Sequence, residues 1–355
     1  MSRLDKLVKQ STASKVSWVR FQENIKKDWG LAGTDTGIHD LNLAIGGVMP
    51  TEVVTVAARS GVGKTALMTP LLKAATRYES SKPEFIFFTW EMSPDKLVDR
   101  MISFDTGLSA KDLIMGARLL KQDEIEAVKN SIESGKDIAV SYHPRSTDIE
   151  EVIITFEEFK ESCDKKTALD GIRRHPIGII DYIGLAELDG AGVRTYGIND
   201  FYRGLKQCAN RTGGSWVVLA QIARGADKKD LPDRGDLSDS QSIENNSDVL
   251  CILHRPEYLG QHRMIDPVSR EEIDSKGRML FRVLKCRMFG PSEFITCCDM
   301  SRYKFWSVDL GMDYPYWEMY KDENFWRSHF GYESKEQSAS SIENQADIFN
   351  EESGL

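Results

Sequence analysis

The chain has 355 residues, enough for one large α/β domain or two small ones, and its formal charge of −9 argues against a surface that is basic all over. No apolar run reaches the ~18 residues of a membrane span, and the opening Met-Ser-Arg-Leu-Asp-Lys has no signal-peptide core. The six cysteines, at 163, 208, 251, 286, 297 and 298, lack CxxC or Cys/His metal spacing and read as reduced residues of a cytosolic protein. Nucleic acid stays open as a partner, because a ring or cleft can confine positive charge to one lining.

In chain order, residues 14–28 form an amphipathic stretch, with Val16, Trp18, Val19, Phe21 and Ile25 among polar residues. This predicts a docking helix in an N-terminal arm spanning 1–29. Thr34 to Gly37 gives a turn into Ile38–Ile45, closed by Gly46-Gly47. From Glu52 onward apolar runs alternate with helical patterns, which predicts an α/β fold with a mainly parallel central sheet and helices on both faces. Strands are expected over 52–57, 85–90, 137–142, 177–181, 215–221, 248–254, 279–285 and 293–298. Helices are expected over 63–78, 94–105, 121–134, 147–166 and 198–212, with Pro70 kinking the first. Adjacent Cys297 and Cys298 then point to opposite faces of a strand.

The main body predicted in this way runs from 30 to 309, and an aromatic extension covers 310–330. The aromatics from Tyr303 to Phe330 have two readings, a stacking platform for single-stranded bases or a segment packed onto the sheet. Without an interleaved basic stripe the second is favoured. Residues 331–355 supply −5 of the net charge and cannot bury a core, so they read as a disordered, solubilising tail. A docking peptide around Ile348-Phe349 is the lesser alternative.

Chemistry concentrates first at Ala58-Arg59-Ser60-Gly61-Val62-Gly63-Lys64-Thr65, directly after the apolar run Val53–Ala57. A buried strand ending in a small-residue loop and Gly-Lys-Thr is how a nucleoside triphosphate is held. Backbone N–H groups wrap the phosphates, and Gly61 and Gly63 permit a turn that a Cβ obstructs. Lys64 reaches the β- and γ-phosphates of ATP, the Thr65 hydroxyl ligates Mg²⁺, and the following helix points its positive end at the anion. Ala58 stands where the usual pattern has its first glycine.

Phosphoanhydride hydrolysis also needs a second metal-side group, a group that activates water, and positive charge at the transition state. Gly178-Ile179-Ile180-Asp181 is an apolar strand ending in an acid, so Asp181 is expected to hold Mg²⁺ through water. Phe85 to Trp90 is another buried run, and Glu91 after it is the candidate general base. A lone acid after a strand is often only a cap or turn residue; two beside a phosphate loop favour the catalytic reading. Gln221 ends a third strand and either senses the γ-phosphate or simply closes the strand. Lys285 and Arg287 precede the turn Phe289-Gly290-Pro291, where cations can reach a phosphate held by another subunit; on spacing alone a solvated hairpin tip is the default.

Together these segments resemble the ATPase domain of the DnaB-type hexameric replicative DNA helicases of bacteria and their phages, which have a RecA-like core. The matching pieces stand in the family's order over about residues 30–309. They are Thr36-Gly37-Ile38-His39-Asp40-Leu41, the phosphate loop, Glu91-Met92-Ser93 with Arg100-Met101, and Asp181-Tyr182-Ile183-Gly184-Leu185. Ala220-Gln221-Ile222-Ala223-Arg224, Ser240-Gln241-Ser242-Ile243-Glu244 and Lys285-x-Arg287-x-x-Gly290-Pro291 follow. The resemblance implies Glu91 as base, Asp181 at the metal, Gln221 as sensor, and Lys285 and Arg287 acting in trans on the neighbour's ATP. It further implies a homo-oligomer, a hexamer in this family, on single-stranded DNA in the cytoplasm of a bacterial or phage-infected cell. Primase, a helicase loader and a single-stranded-DNA-binding protein are the partners it brings with it.

Departures from the pattern bear on the DNA side. About thirty residues precede the match, where the family has an N-terminal domain that meets primase, so that coupling is in doubt. The family's Arg-Glu-Ser-Gly is Ser238-Asp239-Ser240-Gln241 here. The loop from Arg224 to Asp236 balances Arg224, Lys228, Lys229 and Arg234 against four aspartates, which weakens the electrostatic case for tight binding. Those four cations and Gln241 remain the candidate DNA contacts, since backbone N–H groups also grip phosphates. The expected activity is an ATP-driven ring motor that unwinds duplex. The alternatives are a RecA-like filament that coats or pairs DNA, and a non-unwinding relative that recruits or loads a partner.

Overall fold

The apolar run after Glu52 becomes the middle strand of a nine-stranded sheet in the computed structural model, which describes residues 30–74, 81–90, 92–115, 119–134, 139–142, 149–181, 194–222, 231–237 and 240–331. In chain order its elements are α1 (His39–Ile45), β1 (Val53–Ala58), α2 (Met68–Ala74), β2 (Ser81–Thr89), α3 (Pro94–Thr106), α4 (Ala110–Ile114), α5 (Gln122–Ser134) and β3 (Ala139–Tyr142). There follow α6 (Ile149–Asp170), β4 (Arg173–Asp181), α7 (Arg194–Thr212), β5 (Ser215–Gln221), α8 (Ser240–Asn246) and β6 (Val249–His254). The last strands are β7 (Arg263–Ile265), β8 (Glu272–Asp274), β9 (Arg278–Cys286), β10 (Ser292–Asp299) and β11 (Lys304–Ser307). The spatial order is β11-β10-β9-β6-β1-β5-β4-β2-β3, with β7 and β8 pairing apart as a small antiparallel hairpin.

Strands β6, β1, β5, β4, β2 and β3 run parallel, and β9, β10 and β11 continue the sheet antiparallel. All six residues of β1 and of β6 are buried, as strands covered on both faces must be. Alternation splits them between two cores. Val54, Val56 and Ala58 pack with Ile38, Leu67 and Leu71 on one face. Val53 and Ala57 join Phe156, Tyr202 and Leu205 on the other. Pro83 is tolerated in β2 because β3 pairs only with Ile86 to Thr89, which leaves the proline on an edge.

Each of the eight expected strands is present. The sequence patterns do not signal β7, β8 or β11. The helix after the phosphate loop opens as a 3₁₀ turn over Thr65–Leu67 and becomes α-helical at Met68. Pro70 therefore sits in the first α-helical turn, where a missing N–H costs little and no kink is required. Cys297 is partly exposed and Cys298 buried, on opposite faces as expected, and all six cysteines are free.

Ala32–Tyr314 forms one compact unit, and residues 315–331 belong to a second. In the first, Lys304 to Ser307 are part of the sheet itself, with Phe305 buried. In the second, α9 (Tyr316–Met319) and α10 (Glu323–His329) bring Tyr316, Tyr320, Phe325 and Trp326 onto one another. Trp326 Nε1 donates to the Tyr320 carbonyl at 2.8 Å. The docking helix at 14–28 and residues 332–355 of the acidic tail lie outside the described residues. No helix among the described residues is long and apolar enough to cross a membrane.

Candidate active site

Parallel pairing gathers the expected groups at one edge of the sheet. Ala58, the last residue of β1, lies in register with Gln221 on β5 and with Leu253 on β6. Asp181 pairs with Leu219 on one side and with Thr89 on the other. The phosphate loop, Gln221, Asp181 and the turn after Thr89 thus share the carboxyl ends of four adjacent strands, where open α/β sheets bind ligands.

The loop itself has the shape of an anion cradle. Gly61 and Gly63 have φ of +76° and +122°, in the region that side chains disfavour. A Cβ at 61 would lie 1.9 Å from the Tyr258 hydroxyl, and one at 63 would lie 2.4 Å from Met300 Cε. Lys64 Nζ donates to the Ala58 carbonyl at 3.2 Å, which folds its ammonium back over the end of β1. That carbonyl also accepts the Ile222 N–H at 3.1 Å, so the loop and the strand bearing Gln221 meet at one atom. Thr65 opens the helical turn and is partly exposed, while Asp181 is buried at the strand end.

These residues fit a nucleoside triphosphate with Mg²⁺. The cradle has room only for backbone, and a hydroxyl just past the loop after β1 and a carboxylate at the end of β4 stand at the same edge of the sheet with β5 between them, the donor set with which Mg²⁺ is held beside phosphates. Among the described residues no cluster of three or more His, Cys, Asp or Glu could hold a metal without such help.

Glu91 lies outside the described residues, but the chain on both sides of it is pinned. Trp90 N–H donates to the Asp181 carbonyl at 3.4 Å. Thr89 Oγ1 donates to the Met92 carbonyl at 3.1 Å and accepts the Met92 N–H at 3.0 Å. Arg224, Lys228 and Lys229 also lie outside the described residues. Gln241 is exposed on α8. Arg234 is engaged within its own chain: Nη1 pairs with Glu244 Oε1 at 2.7 Å, and Nη2 donates to the Leu284 carbonyl.

Lys285 and Arg287 stand at the opposite edge of the sheet. The turn they precede joins antiparallel β9 and β10, as the sequence predicts. Cys286 pairs with Val249 at the start of β6, and Arg287 N–H donates to the Asp248 carbonyl at 3.2 Å. A bulge between Leu250 and Cys251 in the β6–β9 ladder leaves Leu284 without a partner in register and sets Lys285 opposite Leu250. Lys285 Nζ donates to the Glu244 carbonyl, and its pKa is lowered by burial and by the nearby Arg287 charge. Arg287 Nη1 pairs with Asp248 Oδ1 at 3.1 Å. Asp248 is buried, and its other oxygen accepts from Lys206 Nζ at 2.6 Å and from the Val53 N–H at 2.9 Å. Glu52 adjoins this group; burial, then the Asp248 charge, pushes its carboxyl up to about 7. The sequence pattern assigns no role to Asp248, Glu52 or Lys206, because their spacing along the chain carries no signal.

A RecA-like P-loop nucleoside-triphosphatase core is the class these features define. The DnaB-like helicase C-terminal domain model matches residues 33–289, and the chain belongs to that family. It is 27% identical over 233 residues to the replicative DNA helicase DnaB of Leifsonia xyli subsp. xyli, a match covering 64% of this chain and 48% of that protein. The chain spans about half the length of the curated relatives it matches. In fold it is similar to a solved ATPase domain, with a TM-score of 0.70 at 18% identity over 85% of this chain and 100% of that one. It is also similar to a DnaB-like replicative helicase described with its interactions with primase, with a TM-score of 0.68 at 19% identity over 83% of this chain and 66% of that one.

Proposed function

We propose that this chain is the motor of a replicative DNA helicase: a homo-oligomer, built as the family's six-subunit ring, that hydrolyses ATP between subunits and moves along single-stranded DNA. In this reading the loop Ala58–Thr65 cradles the triphosphate, with Lys64 on the β- and γ-phosphates. Thr65 and, through water, Asp181 hold Mg²⁺, which when bound takes up charge on the phosphate oxygens. Glu91 takes the proton of the attacking water, and Gln221 bonds the γ-phosphate and reports its loss along β5. Lys285 and Arg287 of the adjacent subunit meet the charge that builds on the transferred phosphoryl group.

The observation that carries this reading is the separation of the two edges. Arg287 lies level with Asp248, and the phosphate loop begins beyond Leu253 on the same strand ladder. Five residues of strand at ~3.3 Å each put roughly 17 Å between them, more than twice the roughly 7 Å reach of an arginine side chain. Arg287 is therefore out of reach of its own chain's triphosphate, and the phosphate it can serve is another copy's.

On the DNA side we assign Gln241 and the loop cations Arg224, Lys228 and Lys229. Arg234 joins them only by leaving Glu244 and the Leu284 carbonyl. A helicase loader, a single-stranded-DNA-binding protein or, by a route other than the family's N-terminal domain, primase is the partner this reading offers, in a bacterial or phage-infected cytoplasm. The test is a forked-duplex assay beside ATPase measurements. ATP-dependent strand displacement by the assembled protein, abolished in Arg287→Ala with nucleotide binding retained, is the expected outcome. Strand exchange without unwinding would instead make the chain a recombinase-like filament.

A further inference from the structure

Arg287 is not a loose side chain at a hairpin tip. Its backbone N–H and its guanidinium both bond Asp248, at 3.2 and 3.1 Å, while about half of its side chain stays exposed. The Asp248 side chain is 4% exposed and has two partners besides Arg287, the Lys206 ammonium and the Val53 N–H. Anchoring at one nitrogen leaves the rest of a five-donor fork for a second anion. It also removes beforehand rotamer freedom that an unanchored arginine would lose on gripping a phosphate.

Charge supports the same role. One carboxylate shared by two cations leaves the group net positive, so Arg287 is held without being neutralised. Glu52 faces Asp248, Lys206 and Arg287 with its carboxyl pushed up to about 7, and while protonated it takes nothing from that surplus. The anchor is tied to the strand that carries the phosphate loop. Asp248 caps the Val53 N–H at the start of β1, and its neighbour Ser247 bonds Thr55 Oγ1 in the middle of β1 at 2.7 Å.

We propose that Asp248 is a positioning residue for the trans-acting finger: held by Lys206 and the Val53 N–H, it fixes the Arg287 guanidinium at the subunit edge for the neighbouring triphosphate. This rests on the reading of Arg287 as a finger, and the two fail separately.

The experiment uses the full chain, assembled with ATP, Mg²⁺ and single-stranded DNA. Asp248→Asn keeps an acceptor for the Val53 N–H but loses the charge that holds Arg287. It should lower kcat roughly 10- to 100-fold, the scale of a small misplacement of a catalytic group, with the KM for ATP within about twofold of wild type. The Asp248→Asn/Arg287→Ala double variant should be no slower than Arg287→Ala alone. Wild-type kcat in Asp248→Asn beside a dead Arg287→Ala would reduce Asp248 to a strand cap and overturn the proposal. An active Arg287→Ala would overturn the finger reading beneath it. If Asp248→Asn melts below the assay temperature, Lys206→Gln replaces it: a kcat loss at constant KM that vanishes in the Arg287→Ala background supports the proposal, and unchanged kcat overturns it.

Discussion

A mixed assembly of two inactive variants gives the sharpest test of shared ATP sites. Lys64→Ala removes the phosphate lysine but leaves Arg287; Arg287→Ala does the reverse. Each alone should fall by roughly a thousandfold or more, the range in which finger residues act. The roughly 17 Å between the two edges of one subunit means that neither defect can be repaired within a chain. Mixed in equal amounts and allowed to exchange subunits, the variants form every type of interface. A competent one takes its phosphate loop from an Arg287→Ala subunit and its finger from a Lys64→Ala subunit, so about one quarter of the interfaces qualify by random assembly. DNA-stimulated ATPase at saturating ATP should then recover to as much as about a quarter of wild type for independent sites. Co-purification of two differently tagged variants establishes that exchange took place. A co-purifying mixture that turns over no faster than the sum of its parts would refute the trans arrangement.

Glu52 should make stability depend on pH. Its folded pKa of about 7 lies above its ordinary 4.5, so the folded chain keeps a proton that the unfolded chain has given up, and stability falls as pH rises through that window. Glu52→Gln should therefore raise the melting temperature more at pH 8 than at pH 5, and an equal gain at both would contradict the assignment. Gly178→Ala would put a Cβ 2.3 Å from Cζ3 of buried Trp216, whose ring is closed in by Phe156 at 4.3 Å and Phe88 at 5.8 Å. Overpacking there should cost about 1–3 kcal/mol in denaturant titrations, and an unchanged midpoint would mean that the site can yield. Thr89→Val deletes both side-chain bonds to Met92 and frees the turn that carries Glu91; kcat should fall while nucleotide affinity, measured by fluorescence titration, stays put. Equal kcat in the two proteins would separate Thr89 from the catalytic turn.

Local pattern carried the parallel half of the fold. Runs such as Phe85–Thr89 and Ile177–Asp181 are apolar throughout because both faces are buried, and their polar ends mark one edge of the sheet. The phosphate loop was legible for a related reason, since its glycines and Lys64-Thr65 are contiguous. Elements of three or four residues were not: Arg263–Ile265 and Glu272–Asp274 are too short for a period to register, and Lys304–Ser307 is masked by the aromatic run around it. The edge around Asp248 was invisible for another reason. Val53 and Arg287 are brought to it by strand order and Lys206 by the helix α7, and no spacing along the chain encodes that neighbourhood.

In the proposed reading the opposed edges of the sheet give the subunit a polarity, with a receptor at one end and a tool at the other. Two copies related by a twofold axis would serve each other and close at a pair, because such a contact sets one copy's tool against the other's receptor and the reverse. The six-subunit ring proposed above instead runs its contacts head to tail, repeating a single rotation from copy to copy. Whether that rotation returns on itself or climbs along an axis is all that distinguishes a closed circle from a spiral, and a small pitch at one junction is enough to turn the first into the second.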